Sequence, residues 1–227
     1  MSLNREVTGT EIVATPTPSA DLLTPDNSVF LFIDHQPQMF FGVGSSARTA
    51  IMNSTVGLAK TAKTFQVPVI LTTVASETFS GPLLPQLTEV FPDEPVIDRT
   101  TMNCWEDSSV IEAVKATGRK KIVLAGLWTE VCIVLPALSA LAQGYEVYVV
   151  ADACGGLSPA THEHALQRMT KAGADVIDWI PALLELQRDW ARFDTYDAVV
   201  ETVKAHDGAY GLGLVYAQRF LGEGAAG

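Results

Sequence analysis

Short apolar runs dense in β-branched residues recur along the chain, each followed by a stretch of helical length: VFLFID (29–34), VPVILTTV (67–74), KIVLAGL (121–127) and YEVYVVAD (145–152). A strand with one wet face alternates apolar and polar residues, whereas runs without that alternation are buried on both faces, as in a parallel sheet covered by helices on either side. The intervening segments Ala47 to Phe65, Asp107 to Thr117, Val131 to Gln143 and Pro159 to Ala172 have helical length and composition. ADVIDW (174–179) adds a further strand, and PVIDR (95–99) an edge strand. The pattern predicts a three-layer α/β fold: a doubly wound, mainly parallel sheet of about six strands in Rossmann-type order, with helices on both faces.

Composition changes at both ends of this pattern. Residues 1–27, rich in Thr, Pro, Ser and Asp and without a sustained period, read as an extended arm before a globular domain over 28–180. Residues 181–227 read as a C-terminal extension, with helices over Ala182 to Arg192 and Tyr196 to Ala205. Its last part, 208–227, carries six of the 17 glycines and is expected to pack poorly or to need a partner. Ile122 to Ala142 is apolar enough to imitate a transmembrane helix, but Gly126, Glu130 and Pro136 interrupt it. It reads as a buried strand, a turn and a helix.

Charge narrows the function classes. Against 26 acidic residues stand 15 basic ones, a net charge of −11, which opposes long contacts with phosphate backbones or anionic headgroups. Neither a nucleic acid nor a membrane surface is an expected partner. The start, MSLNREVTGTEIVATPTPSAD, has no basic region followed by an unbroken apolar run, so the expected location is cytoplasmic. Cys104, Cys132 and Cys154 are odd in number and form no CxxC pair, which argues for free thiols rather than a disulfide framework or a structural zinc site. AGLWTEV offers one glycine after its strand, not a phosphate loop, so no nucleotide cofactor is expected.

In an open parallel sheet, ligands gather beyond the carboxyl ends of the strands, where strand order reverses. The first strand ends in Asp34-His35-Gln36, the strand at 121 runs on to Cys132, and PVIDR ends in Arg99. If the first strand lies beside the strand at 121, Asp34 and Cys132 meet. Cys132 follows a strand and a turn and opens an expected helix, a position that favours a thiolate. Taken singly, each residue also has an ordinary role: a cysteine filling an apolar gap, an aspartate capping a turn, an arginine paired with Asp98 or Glu94 at the surface. They gain weight only as a set.

LFIDHQ, the cation at 99 followed by MNCW, and AGLWTEVCIVLPALSALAQGYEVYVVADACGG resemble the isochorismatase-like cysteine hydrolases, a group that includes nicotinamidases and N-carbamoylsarcosine amidohydrolase. The resemblance spans roughly residues 28 to 190 and is most specific in the GxxTxxC segment. Within the group the chain is most similar to bacterial proteins with a long C-terminal helical extension and undefined substrates. The likeness implies Asp34 as general base, Cys132 as nucleophile and Arg99 in the place of the usual lysine. It also implies a cis peptide between Leu127 and Trp128, with the N–H groups of Trp128 and Cys132 forming an oxyanion hole.

Arginine keeps the charge of lysine but not a proton-relay role, because a guanidinium stays charged. Nicotinamidases carry an Asp-x-His metal cluster after the second strand, where this chain reads TTVASETFSGPLLP, so no metal is expected. His162 and His164, two apart at a helix start, read as surface residues on different faces. Phe40, Asn103, Trp105 and Thr129 are the expected substrate-binding residues, Phe41 and Trp128 are further candidate pocket walls, and Cys154 is a rival nucleophile. The resulting expectation is a metal-free, cofactor-free cysteine hydrolase cleaving a small molecule at an amide C–N bond through a thioester. Two alternatives stand beside it: an isochorismatase-type vinyl-ether hydrolase, and a non-catalytic oligomeric thiol or ligand-binding protein. The apolar C-terminal helices further suggest a homo-oligomer of more than two subunits.

Overall fold

The computed structural model describes residues 17–221. Strands β1 (Ser28–Ile33), β2 (Val69–Val74), β3 (Val96–Arg99), β4 (Lys121–Gly126), β5 (Glu146–Val150) and β6 (Asp175–Ile177) form one six-stranded sheet. Their order is β3-β2-β1-β4-β5-β6, and every neighbouring pair is parallel. The chain moves outward from β1 to one edge and then, from β4, to the other. The boundary between β1 and β4 is therefore the switch point of the sheet.

Burial explains why the strand sequences do not alternate. Phe30 and Phe32 of β1 point into one core with α2 (Arg48–Thr64), α3 (Pro85–Val90), α7 (Trp179–Gln187) and α8 (Phe193–His206). Val29, Leu31 and Ile33 point into the other, with α4 (Ser108–Thr117), α5 (Val134–Ala142) and α6 (Pro159–Ala172). Successive side chains alternate between faces, so a strand covered on both sides is apolar throughout. Each fully buried Leu, Ile or Phe contributes about 1.5–3 kcal/mol relative to exposure.

The segments outside the sheet depart from expectation. Residues 1–16 and 222–227 lie outside the described residues. The described part of the N-terminal arm is tied to the domain: Leu23 is fully buried, its N–H donates to Glu185, and the Asp21 carbonyl accepts from the Tyr148 hydroxyl. At the other end, the described part of the Gly-rich stretch is a helix, α9 (Gly208–Leu221). At Gly211 a side chain would meet the Val203 carbonyl and Lys204 of α8, so this glycine permits two helices to approach closely. α1 (Pro37–Gly42) and α3 are short proline-initiated helices that the hydrophobic pattern did not reveal.

Candidate active site

Asp34 follows the last residue of β1 and sits in the left-handed region at φ +57°, a conformation that aspartate tolerates better than most residues. Gln36 fixes this strand end: its side-chain carbonyl accepts from Val74 N–H at 2.9 Å, and its amide donates to the carbonyls of Val74 and Gly81. The loop after β2 is thus tied to the end of β1. On the other side, β1 pairs with β4 up to Ile33 opposite Gly126. A Cβ at Gly126 would overlap the Ile33 carbonyl oxygen, so glycine allows β4 to lie against the residue preceding Asp34.

Arg99 ends β3, two strands away from β1. At about 4.8 Å between neighbouring strands, only a long side chain spans that gap. Its Nη2 reaches both carboxylate oxygens of Asp34, at 2.7 and 2.8 Å, and Nη1 donates to the Thr101 carbonyl. Both side chains of the ion pair are fully buried.

Cys132 lies past β4, in a wide helical turn over Thr129–Ile133 that runs on into α5. The turn begins two residues earlier than the expected helix. Wide turns leave their first N–H groups without acceptors inside the helix; here the Thr129 N–H instead donates to Gly155 and the Val131 N–H to Trp128. The Leu127–Trp128 peptide is cis. Cys132 lies beside the Asp34 carboxylate and the Trp128 backbone N–H, and both act on its thiol electrostatically.

Electrostatics at this triad refines one expectation. Burial pushes Asp34 up to about 6, against the downward pull of Arg99 and of Cys132. Burial also pushes the Cys132 thiol up to about 12; the neighbouring Asp34 charge adds to the rise, while Arg99 and the Trp128 N–H oppose it. The start of a helix was expected to favour the thiolate, with a nearby carboxylate removing the thiol proton. Desolvation and a carboxylate in contact outweigh that dipole, so the resting pair at neutral pH is thiol and carboxylate. Asp34 is placed to take the proton as the sulfur reacts.

A cavity of about 280 Å³ opens onto Cys132. Its walls are mostly apolar and come from the ends of four strands and the segments after them, with Met39, Val74, Phe79, Met102, Trp128 and Val131 prominent among them. Phe79 and Met102 are largely exposed and form the rim. The Trp128 ring is fixed by an Nε1–H bond to the Met39 carbonyl at 2.8 Å and by contact with Gly42. A larger cleft of about 380 Å³, beside Lys63, Pro68 and Phe91, lies at the start of β2, away from the triad.

Trp128 and Cys132 thus line the cavity, but the four expected substrate-binding residues do not. Phe40 is packed with Val43, Ile51 and Leu127, and Trp105 stacks edge-on against Tyr145. Asn103 holds Glu106 and Ser139, and the Thr129 hydroxyl bonds His162 Nδ1 at 2.8 Å. Phe41 is 71% exposed and lies outside the cavity walls. Cys104 and Cys154 are buried, and burial pushes each up to about 12. His162 is half-buried against Thr129, whereas His164 is exposed. Among the described residues, no group of three or more His, Cys, Asp or Glu side chains is arranged to hold a metal ion.

Sequence reasoning missed Met39, Phe79 and Met102. Each lies in a segment following a strand, the signal that would have found them.

The fold agrees with comparisons to known proteins. The Isochorismatase domain matches residues 28–181. The probable hydrolase YcaC of Escherichia coli (strain K12) is 39% identical over 169 residues, covering 74% of this chain and 81% of its own length. A structure of YcaC from Pseudomonas aeruginosa with hexane-2,5-diol and covalent acrylamide superposes with a TM-score of 0.83 at 35% identity, covering 88% of this chain and 98% of that one. The Escherichia coli YcaC structure, described as an octameric hydrolase of unknown specificity, gives 0.82 at 36% identity with the same coverage. Nicotinamidase from Bacillus subtilis, at 15% identity and a TM-score of 0.57, shares the fold alone. A parallel sheet wound outward from the β1–β4 boundary, a matching domain over more than half the chain and these relatives together make the protein a member of the isochorismatase-like hydrolase family.

Proposed function

We propose that the chain is a cysteine hydrolase acting on a small molecule, cleaving an amide C–N bond through a thioester on Cys132. The observation that carries this reading is the buried Asp34–Arg99 ion pair beside Cys132, whose side chain lines an apolar cavity. Asp34 takes the thiol proton as the sulfur attacks the carbonyl carbon, and the N–H groups of Trp128 and Cys132 receive the developing oxyanion. Protonated Asp34 then passes its proton to the departing amine. Water attacks the thioester, Asp34 again accepts a proton, and the acid is released as Cys132 regains its hydrogen. Arg99 is a positioning residue: it engages both oxygens of Asp34 and keeps the carboxylate ionised.

The covalent acrylamide of the Pseudomonas aeruginosa relative supports a reactive nucleophile in this fold, since acrylamide is an electrophile. The octameric state of the Escherichia coli relative, together with the exposed Leu212, Tyr216 and Phe220 on α9, supports a homo-oligomer of more than two subunits. The test of the chemistry is acid-quenched mass spectrometry of the purified chain mixed with a panel of small amides. An acyl adduct on the peptide containing Cys132 is the expected result. Hydrolysis with no adduct at any quench time, under conditions where the acylated form should accumulate, excludes the thioester and favours the vinyl-ether type of acid–base chemistry.

A further inference from the structure

Among the described residues, the walls of the cavity over Cys132 carry no charged side chain: apart from Ser80 and Thr100 they are apolar or sulfur-bearing. The cation paired with Asp34, Arg99, is buried, with Nη2 committed to Asp34 and Nη1 to the Thr101 carbonyl. Its Nε has no partner but is itself buried, out of reach of a molecule in the cavity. A carboxylate or phosphate entering this space would lose its water and meet no counter-charge. A cation fares no better, because Arg99 already neutralises the buried Asp34.

We propose that the site selects uncharged substrates: small neutral amides with an apolar acyl group, of roughly ten non-hydrogen atoms in a space of about 280 Å³. This rests on the hydrolase reading of the same site but commits to more, since Cys132 chemistry is equally compatible with anionic substrates. The exclusion is local. It comes from the absence of a free donor cation in the walls, not from the overall charge of −11.

The test compares alkylation of Cys132 by iodoacetamide and iodoacetate, two reagents of nearly equal size that differ by one negative charge. Rates are read by peptide mass spectrometry, each normalised to the rate with glutathione. High salt screens the long-range field of the protein, leaving the cavity itself. The normalised rate with iodoacetamide is expected to exceed that with iodoacetate by about 100-fold. Met102, 64% exposed at the rim, provides the second arm: Met102→Lys places a cation at the mouth and should cut the preference at least about tenfold, with an unchanged circular dichroism spectrum. Equal normalised rates in the parent chain, or a preference for iodoacetate, would overturn the proposal. Alkylation needs no thioester and no hydrolytic water, so the charge preference survives even if the amide panel gives no acyl-enzyme. Conversely, an acyl-enzyme can form while this preference is absent.

Discussion

Replacing Arg99 by Met removes the cation that touches Asp34 while keeping a side chain of similar length. With Nη2 at 2.7 and 2.8 Å from the two oxygens, the charge centres lie about 4 Å apart. At an effective dielectric of about 20 this interaction is worth about 4 kcal/mol, or about three pKa units. Asp34, already pushed up to about 6 by burial, should therefore titrate near 9 in the variant. At pH 7 the parent carboxyl is about nine-tenths ionised and the variant's about one per cent, so base assistance falls on the order of 100-fold. The assay is the rate of Cys132 alkylation by iodoacetamide across about pH 5 to 10, which needs no knowledge of the substrate. The rising limb should lie near pH 6 in the parent and near 9 in Arg99→Met, while Arg99→Lys, which restores a cation, should return it below about 8. A limb that stays near 6 in Arg99→Met would refute the claim that Arg99 sets the ionisation of Asp34.

Two further outcomes are expected. His35 is fully buried, and its Nε2–H faces the Ala153 carbonyl at 3.3 Å and the Thr55 hydroxyl at 3.2 Å. The Thr55 proton is committed to the Ile51 carbonyl, so Nε2 is the donor, and the buried Nδ1, which has no partner, disfavours a second proton. Burial lowers its pKa from 6.5 to about 4. A depressed histidine contributes stability that is full above 6.5 and lost as pH falls through 4, a loss of up to about 3 kcal/mol. Urea titrations at pH 7 and pH 4 should show this loss in the parent and a smaller one in His35→Gln. The raised carboxyls of Asp34 and Asp152 act in the opposite sense but are common to both proteins, so the difference isolates His35. The same acid sensitivity in both would contradict its role. For the assembly, sedimentation should give a species larger than a dimer, and a monomer at all concentrations would remove the oligomer proposal.

The strands and their burial were legible because parallel sheets leave a one-dimensional mark: after their first residues, Ser28 and Lys121, β1 and β4 carry no polar side chain toward either layer. The meeting of Asp34 and Cys132 was legible only conditionally, because it required β1 beside β4, and pairing order is not written in local pattern. The C-terminal helix was obscured by its own packing device. Gly208, Gly211 and Gly213 lower helix propensity and read as looseness, yet Gly211 is what lets α9 cross α8. Likewise Leu23 looked like part of a polar arm, since one buried residue among Ser, Pro and Asp carries no periodicity. Cavity walls were misassigned by a single residue in two places, Phe40 for Met39 and Asn103 for Met102, because loop direction after a strand decides which neighbour faces inward. How far the Cys132 thiol is pushed up was not legible, because the helix-terminus argument is local, whereas desolvation and the Asp34 charge depend on the assembled site.

The most direct test of the central claim is the turnover of Cys132→Ala on whichever amide the parent chain hydrolyses. Cys132 is 95% buried but small, so the variant should fold with only a modest loss of stability. The account predicts no turnover above background from a folded protein, since Asp34 then has no sulfur to activate. Turnover at the parent rate would contradict it.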